Sequence, residues 1–160
     1  MTSRSAGFLS FISRCTGARN MPKAERLIGS CLCGKVRFSA IIESKDVGAC
    51  HCAMCRRWCA GPFLYVECGD SLQFQASACL GIYRSSPWAE RGFCSQCGST
   101  LYYKMLKTAS YSVSAEAFDK SDYYFSTQIF IDRKPSYYSF KNVTQNTSEE
   151  EWFEWLRNNE

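Results

Sequence analysis

The 160-residue sequence has a single histidine, no apolar run long enough to cross a bilayer and no strong excess of charge. A membrane-spanning helix needs about 20 consecutive apolar residues, so the sequence predicts no transmembrane segment. The net charge of +4, from 19 basic and 15 acidic residues, is too small for charge alone to indicate nucleic-acid binding. We therefore expect a protein that binds neither membranes nor nucleic acid.

Several familiar catalytic arrangements are also missing from the sequence. There is no glycine-rich phosphate loop, no G-x-S-x-G nucleophile elbow, no Cys-His-Asn arrangement and no evident pair of carboxylates for acid–base catalysis. Because His51 is the only histidine, a Cys2His2 metal site is excluded. These absences leave the cysteines as the residues most relevant to chemistry.

Cysteine is abundant, with 11 residues in the chain. A secreted disulfide scaffold would have an even count, a signal peptide and a shorter chain. The count here is odd, and the N-terminus lacks the successive regions of a secretory signal. Several cysteines form C-x-C pairs, which are too close for an easy local disulfide and suit metal chelation. We therefore predict that most clustered cysteines bind metal.

The N-terminal segment differs in composition from the rest of the chain. Residues 1–22 contain three arginines, four serines and no acidic residue, a composition typical of an organelle transit peptide. A flexible tail, or an extension upstream of a true start at Met21, has the same composition. We expect a basic, flexible extension at 1–24 and a single folded domain at 25–160. The protein is then cytoplasmic, or organelle-targeted if residues 1–22 act as a leader.

The central region carries mainly strand signals. Apolar side chains alternate with polar ones at Val36, Phe38, Ala40 and Ile42, which predicts a half-buried strand. Further short runs of aromatic and β-branched residues are bounded by Gly, Pro, Ser or Asp and predict more strands. These runs are residues 63–67, 72–75, 80–83, 101–103, 111–114, 128–131 and 137–140.

The acidic C-terminal segment is predicted to form a short helix. Ser148 and Glu151 have the spacing of a capping box. Trp152, Trp155 and Leu156 follow at positions that share one helical face. The sequence as a whole thus predicts a mainly β fold of short, mostly antiparallel strands with a short C-terminal helix.

Seven of the cysteines fall into three clusters with chelating spacing. A closed structural zinc site takes four protein ligands, whereas a catalytic site takes three and keeps one position for water or substrate. Seven thiols therefore suggest one site of each kind. The clusters are Cys31 and Cys33, then Cys50, Cys52 and Cys55, then Cys94 and Cys97.

Spacing alone leaves the grouping of these clusters open. The first pair can close a site with the third pair or with two members of the middle cluster. Three thiols within six residues are able to hold one side of a metal ion from a single loop, which favours the first grouping. Gly34 and Gly98 each follow a cysteine pair, where a tight turn brings backbone amides near the sulfurs, as in zinc ribbons.

The segments GSCLCGKVRF, CHCAMCRRW and GFCSQCGSTL, in this order, resemble the glutathione-dependent formaldehyde-activating enzyme family, also called the CENP-V/GFA domain. The resemblance runs from about residue 27 to about residue 140 and implies the Mss4-like fold, a β-rich scaffold with zinc-ribbon character. It implies two zinc ions per chain. Their ligands would be Cys31, Cys33, Cys94 and Cys97 for the structural zinc, and Cys50, Cys52 and Cys55 for the second zinc, where the substrate reacts.

The resemblance also implies a reaction. The member that names the family condenses glutathione with formaldehyde, so the expected activity is that of a carbon–sulfur lyase similar to S-(hydroxymethyl)glutathione synthase. The expected partners are a glutathione-type thiol and a small aldehyde. The ligand chemistry agrees, because zinc with three thiolates is a weak generator of hydroxide but suits a fourth thiolate. The alternative is a non-catalytic zinc-stabilised protein-interaction module, since Mss4-like and CENP-V-type proteins include members that bind other proteins.

The residues around the middle cluster suggest further roles. Arg56 and Arg57 follow the third thiol directly, and we predict that they offset its negative charge and bind a substrate carboxylate. A solvated charge pair is the alternative. His51 lies between two predicted ligands, and we expect its ring to face away from them; a fourth ligand or a proton shuttle is the alternative. The isolated cysteines, expected to pack as small apolar residues, are Cys15, Cys59, Cys68 and Cys79.

Overall fold

The computed structural model describes residues 24–120 and 122–159. The predictions for residues 1–22, including the choice between Met1 and Met21, lie outside the described residues, as does Cys15. Eleven strands lie within them: β1 (Glu25–Ser30), β2 (Arg37–Ile42), β3 (Asp46–Cys50), β4 (Phe63–Glu67), β5 (Gln73–Ala76), β6 (Leu80–Ser86), β7 (Ala89–Cys94), β8 (Thr100–Met105), β9 (Ser110–Ser114), β10 (Tyr124–Ile129) and β11 (Gln145–Thr147). The α-helices of the same residues are α1 (Ala53–Cys59) and α2 (Glu149–Asn159), and 3-10 turns lie at Ala115–Ala117 and Ile131–Arg133.

The strands form two sheets. The smaller sheet has the order β1-β2-β5, and the larger has the order β11-β10-β3-β4-β9-β8-β7-β6. All neighbours from β3 to β6 in the larger sheet are antiparallel. Only β10 departs from this pattern among the described strands, because it runs parallel to both β3 and β11. The predicted fold class, mainly β with a short C-terminal helix, is confirmed.

Most of the individual strand predictions agree with the structure, and two of the strands that were not predicted contain a glycine packed against an aromatic ring. Residues 63–67 are a strand as predicted, and the other runs overlap a strand, except for 137–140, where the prediction is wrong because this segment is irregular. The strands β1, β3, β7 and β11 and the helix α1 were not predicted. In β3 and β7 a glycine faces an aromatic ring: a Cβ on Gly48 would lie 2.5 Å from the Tyr65 ring, and one on Gly92 would lie 2.0 Å from the Tyr102 ring. Close packing of a ring on bare backbone explains why these strands lack a full apolar pattern.

The larger sheet separates two apolar clusters, because successive side chains of a strand point to opposite faces. On β4, Val66 belongs to the main core, together with Phe38 of the smaller sheet, which contacts Phe74 and Phe118 edge-to-face. Phe63 and Tyr65 point the other way, into a second cluster that includes cysteine side chains. The chemistry discussed below lies on this second face.

Helix α2 covers one side of the second cluster. Its N-terminus is the predicted capping box: the Ser148 amide donates to Glu151 at 2.6 Å, and the Glu151 amide donates to the Ser148 hydroxyl at 3.3 Å. Trp152 and Phe153 of the helix contact the Phe130 ring. No helix among the described residues is long and apolar enough to cross a membrane.

Candidate metal centres

Four of the predicted ligands meet where the two sheets join, and we call them the four-thiol group. Its members come from a turn after β1 in the smaller sheet, and from the last residue of β7 and the turn that follows it in the larger sheet. Their sulfur atoms all lie within 4.8 Å of one another. The group comprises Cys31, Cys33, Cys94 and Cys97.

The sulfur distances of the four-thiol group fit a tetrahedral ion. Cys33 Sγ lies 3.5 Å from Cys31 Sγ and 3.8 Å from Cys94 Sγ. Ligands placed 2.3 Å from a zinc ion at tetrahedral corners stand about 3.8 Å apart. The donor set is therefore of the right number, type and spacing for a closed zinc site.

Two glycine turns present these sulfurs. Gly34 and Gly98 have φ of +72° and +77°, in the left-handed region that favours glycine. The Gly34 amide donates to the Cys31 carbonyl at 2.9 Å, and the Gly98 amide donates to the Cys94 carbonyl at 2.8 Å. The Val36 amide then donates to the Cys31 sulfur at 3.2 Å. The bonds hold each turn closed, and the positive φ explains why a glycine stands directly after its second cysteine.

Ser99 ties the two turns to each other. Its hydroxyl accepts a hydrogen bond from the Leu32 amide at 3.0 Å and lies 3.2 Å from Cys97 Sγ. Hydrogen bonds from the Ser99 side chain and backbone lower the pKa of Cys97 to about 5. A thiolate at this position is ready to bind a cation.

The three remaining predicted ligands, which we call the three-thiol group, lie where β3 passes into α1. Cys50 is the last residue of β3, Cys52 is the N-cap of α1, and Cys55 lies in the first turn of that helix. Their sulfur atoms also lie within 4.8 Å of one another. Cys50 and Cys55 are 6% and 5% exposed, whereas Cys52 is only half-buried. The group therefore has one accessible side and two buried members.

The three thiols influence one another's protonation. Hydrogen bonds from Cys50 and Cys55 lower the pKa of Cys52 to about 2. The hydrogen bonds with Cys52 and Cys55, together with burial, raise the pKa of Cys50 well above its ordinary value. One thiol of the group therefore loses its proton readily, and the other two stabilise the resulting thiolate by hydrogen bonds. Loss of a proton from the buried thiols requires a cation beside them.

The nearest fixed cation is Arg91 of β7, which the sequence analysis did not identify. Its guanidinium Nη2 lies 3.5 Å from Cys55 Sγ, and the side chain is 2% exposed. Burial alone would lower the pKa of Arg91, but the negative charge of Cys55 and Cys52 raises it. A charged residue within a strand ordinarily indicates a solvent-facing position, so no local signal marked Arg91 as buried.

The two arginines predicted to bind substrate, Arg56 and Arg57, lie on α1. The Arg56 Nε donates to the backbone carbonyl of His51 at 2.8 Å and so braces the loop that carries the thiols. Arg57 is exposed. Their binding of a substrate carboxylate stays a prediction.

The His51 ring is buried and held by hydrogen bonds to neighbouring side chains. It is fully buried, its Nε2 donates to Gln128 Oε1 at 2.9 Å, and the Tyr138 hydroxyl donates to its Nδ1 at 2.7 Å. The amide nitrogen of Gln128 donates to Thr144 at 2.7 Å, which fixes the amide orientation. Burial lowers the pKa of His51, so the ring is neutral near pH 7. Both ring nitrogens are engaged with these partners, in agreement with a ring directed away from the sulfurs.

The isolated cysteines among the described residues pack in apolar surroundings. Cys68 is 3% exposed in the main core, and Cys79 packs against that core. Cys59 packs instead against the second cluster, beside the three-thiol group.

The fold and its two thiol groups define a β-rich protein with one closed and one open candidate metal centre. The family model for glutathione-dependent formaldehyde-activating enzymes matches residues 26–133. The chain is 38% identical over 126 residues to an uncharacterised lyase of Schizosaccharomyces pombe, covering 78% of this chain and 90% of the relative. The chain therefore belongs to the glutathione-dependent formaldehyde-activating enzyme family.

A structural comparison supports the fold alone. A crystal structure of a Rhodobacter sphaeroides protein matches with a TM-score of 0.53 at 22% sequence identity. The match covers 60% of this chain and 91% of that one. Together, the family and the relative named as a lyase support an enzyme of that class, and the two thiol groups are able to hold metal ions.

Proposed function

We propose that the protein is a zinc-dependent carbon–sulfur lyase or synthase that acts on the adduct of a glutathione-type thiol with a small aldehyde such as formaldehyde. The observation that carries the proposal is the three-thiol group, which offers three ligands and one accessible side. Membership of a family described as glutathione-dependent and formaldehyde-activating supports it. The relative named as a lyase supports the same class of reaction.

The two thiol groups are proposed to hold different zinc ions. The four-thiol group would hold a structural ion, since its ligands complete a tetrahedron without help from solvent or substrate. The three-thiol group would hold a second ion with one position left for a substrate sulfur. When bound there, zinc acidifies a coordinating thiol while leaving its sulfur electron-rich.

Residues of the chain determine the side from which the thiol substrate approaches and exclude water from the buried sulfurs. Cys50 and Cys55 occupy the buried side of the group, so the thiol substrate approaches from the side of half-buried Cys52. Phe63 and Phe130 of the second cluster pack beside the buried sulfurs and exclude water from them. Water exclusion strengthens each electrostatic contact inside the site.

The proposed reaction forms one carbon–sulfur bond. The substrate thiol loses its proton, and its sulfur attacks the aldehyde carbon. The electron pair of the carbonyl π bond moves to the oxygen, which takes up a proton, so that atoms and charge balance. The reverse sequence releases the aldehyde and the thiol. Arg56 and Arg57 are proposed to bind a carboxylate of the thiol substrate.

Metal analysis combined with exchange NMR tests this function. We expect two zinc ions per chain and an enzyme-dependent acceleration of exchange between formaldehyde, glutathione and their adduct. Cys52→Ser is expected to abolish the acceleration while leaving far-UV circular dichroism unchanged. Cys79→Ser, outside both thiol groups, is the matched control and should behave as the wild type. Two bound zinc ions without any acceleration would contradict the proposal and favour the non-catalytic interaction module.

A further inference from the structure

Arg91 places a positive charge inside the protein with few conventional partners. The side chain is 2% exposed on β7. Among the residues that the structure describes, no carboxylate lies within ion-pair distance of its guanidinium. An unpaired buried charge is strongly destabilising, so this guanidinium requires a partner of another kind.

The partners of Arg91 are a sulfur and two aromatic rings. Nη2 lies 3.5 Å from Cys55 Sγ. The guanidinium carbon lies 5.2 Å from the centre of the Tyr103 ring and 5.9 Å from the centre of the Trp58 ring. Cation–π contacts with both rings hold the guanidinium in place. The Cys59 thiol also interacts electrostatically with Arg91, but burial raises the pKa of Cys59 and disfavours its thiolate. The three-thiol group, which contacts the guanidinium through Cys55, is therefore the partner that carries negative charge.

We propose that Arg91 is the resident counter-ion of the three-thiol group, and that its charge favours the binding of a further anionic sulfur there. The part concerning the further sulfur rests on the proposed function. Three thiolates outweigh the charge of a divalent ion, and a fourth thiolate adds to the excess. A buried guanidinium beside Cys55 offsets this excess in surroundings of low dielectric constant, where Coulomb interactions are strong.

The two arginines next in sequence are less suited to this role. Arg56 directs its Nε to the backbone carbonyl of His51. Arg57 is exposed, and charges in contact with solvent are screened by salt within about 10 Å at 0.1 M ionic strength. Arg91 is the arginine whose charge lies against a ligand sulfur and away from solvent. It is thus a positioning residue that acts on the substrate through the thiol group.

Cobalt-substituted protein tests the proposal, because its absorption bands report the ligands of each ion. The variants are Arg91→Gln, which removes the charge, and Arg91→Lys, which keeps it. Lys104→Gln is the matched control, since Lys104 lies on the neighbouring strand and instead contacts Glu90 and Tyr111. Glutathione is titrated into each cobalt protein, and metal affinity is measured separately by competition with a chromophoric chelator.

We expect Arg91→Gln to weaken glutathione binding or second-site metal binding by about 10- to 100-fold, the usual effect of removing a residue that supports a metal ligand. Arg91→Lys should recover most of the loss, incompletely because a lysine ammonium cannot stack as a planar guanidinium does. Lys104→Gln should match the wild type. A merely structural role of Arg91 would change the thermal stability without this recovery of affinity by lysine.

The outcomes that overturn the proposal are distinct from those that overturn the function. If Arg91→Gln binds both cobalt and glutathione with wild-type affinity, Arg91 is not the counter-ion. If the wild type binds cobalt but no thiol, the proposed function fails. In that case the metal affinities decide on Arg91, and equal affinities in the wild type and Arg91→Gln overturn the Arg91 proposal.

A wild-type measurement covers the case in which Arg91→Gln does not fold. The affinity of the cobalt protein for 2-mercaptoethanol, a thiol without a carboxylate for Arg57 to bind, is compared between low salt and about 0.5 M salt. A buried counter-ion predicts a change of less than about threefold, because solvent ions do not screen it. A larger fall would assign the charge to exposed arginines and overturn the proposal.

Discussion

The two thiol groups use the same ligand atom but differ in the backbone that presents it. The four-thiol group lies on two glycine turns from separate sheets, and each turn directs backbone amides at its cysteine carbonyls or sulfurs. The three-thiol group lies on one strand-to-helix junction, where the main chain supplies three sulfurs from six consecutive residues. A closed site therefore joins distant parts of the chain, whereas an open one needs only a single local segment.

This difference predicts different consequences of metal loss. The four-thiol group links the two sheets, because its thiols come from the turn after β1 and from the end of β7 and the turn that follows. A metal held there would contribute directly to folding. The three-thiol group links only β3 to α1, and its Cys50 and Cys55 belong to the second cluster together with Phe63 and Phe130. Loss of its metal is therefore expected to reduce activity more than it reduces stability.

The largest expected effect comes from breaking the closed site. We expect Cys94→Ser to leave the chain largely unfolded, because Cys94 is 0% exposed and structural zinc supplies about 10 kcal/mol or more to small zinc domains. Cys50→Ser should lose one metal ion and keep the fold. Circular dichroism and metal analysis on both variants check this. Equal unfolding of the two variants would remove the distinction between the groups.

A smaller effect is expected from the turn that supports the closed site. Gly98→Ala should lower the free energy of unfolding by about 1–2 kcal/mol, because alanine at φ +77° is strained although space for its Cβ is open. Urea denaturation measures the change. Gly61→Ala is the control, since it also has open space but no positive φ. Similar losses at both glycines would exclude backbone strain as the cause.

The sheet face that carries the open site contains a carboxyl group with unusual titration. Glu67 lies on the same face of β4 as Phe63 and Tyr65, and burial raises its pKa to about 8, although a hydrogen bond from Ser112 partly opposes the shift. A folded pKa above the ordinary value of about 4.3 means that the folded protein binds the proton more tightly. The free energy of unfolding should therefore fall as pH rises from about 5 to about 8.

Removing this carboxyl should flatten the pH dependence. We expect Glu67→Gln to stabilise the protein by about 1–2 kcal/mol at pH 8.5 relative to wild type, with little difference at pH 5. This is less than the full pKa shift would give, because Glu67 is only half-buried and solvent screens its charge. Thermal unfolding across this pH range is the measurement. Glu116→Gln, at an exposed position, should leave the wild-type slope unchanged. An unchanged slope in Glu67→Gln would show that Glu67 is charged in the folded protein.

The smallest expected effect concerns the exposed arginine at the open site. Arg57→Gln should change stability by less than about 0.5 kcal/mol, since the side chain is exposed. It should raise KM for glutathione a few-fold and leave KM for a thiol without carboxylates, such as 2-mercaptoethanol, unchanged. Steady-state kinetics with the two thiols separates these results. Equal changes for both thiols would argue against carboxylate binding by Arg57.

Local pattern was sufficient for much of the fold. The alternation that begins at Val36 marked β2, and the pair Ser148 and Glu151 marked the start of α2, because both signals lie within a few residues. The tyrosines of 137–140 suggested a strand, but this segment packs its Tyr138 against His51 instead. Aromatic residues favour strands only where a neighbouring strand is available to pair with them.

The sequence by itself determined which thiols exist, their spacing and the glycine turns, because C-x-C, C-x-x-C and a following glycine are properties of consecutive residues. Tertiary structure decided which pairs share a centre, since Cys33 and Cys94 approach each other only after two sheets have formed. It also placed Arg91 against Cys55, a contact between residues 36 positions apart. Charge compensation depends on distance in space, and no local pattern encodes that distance.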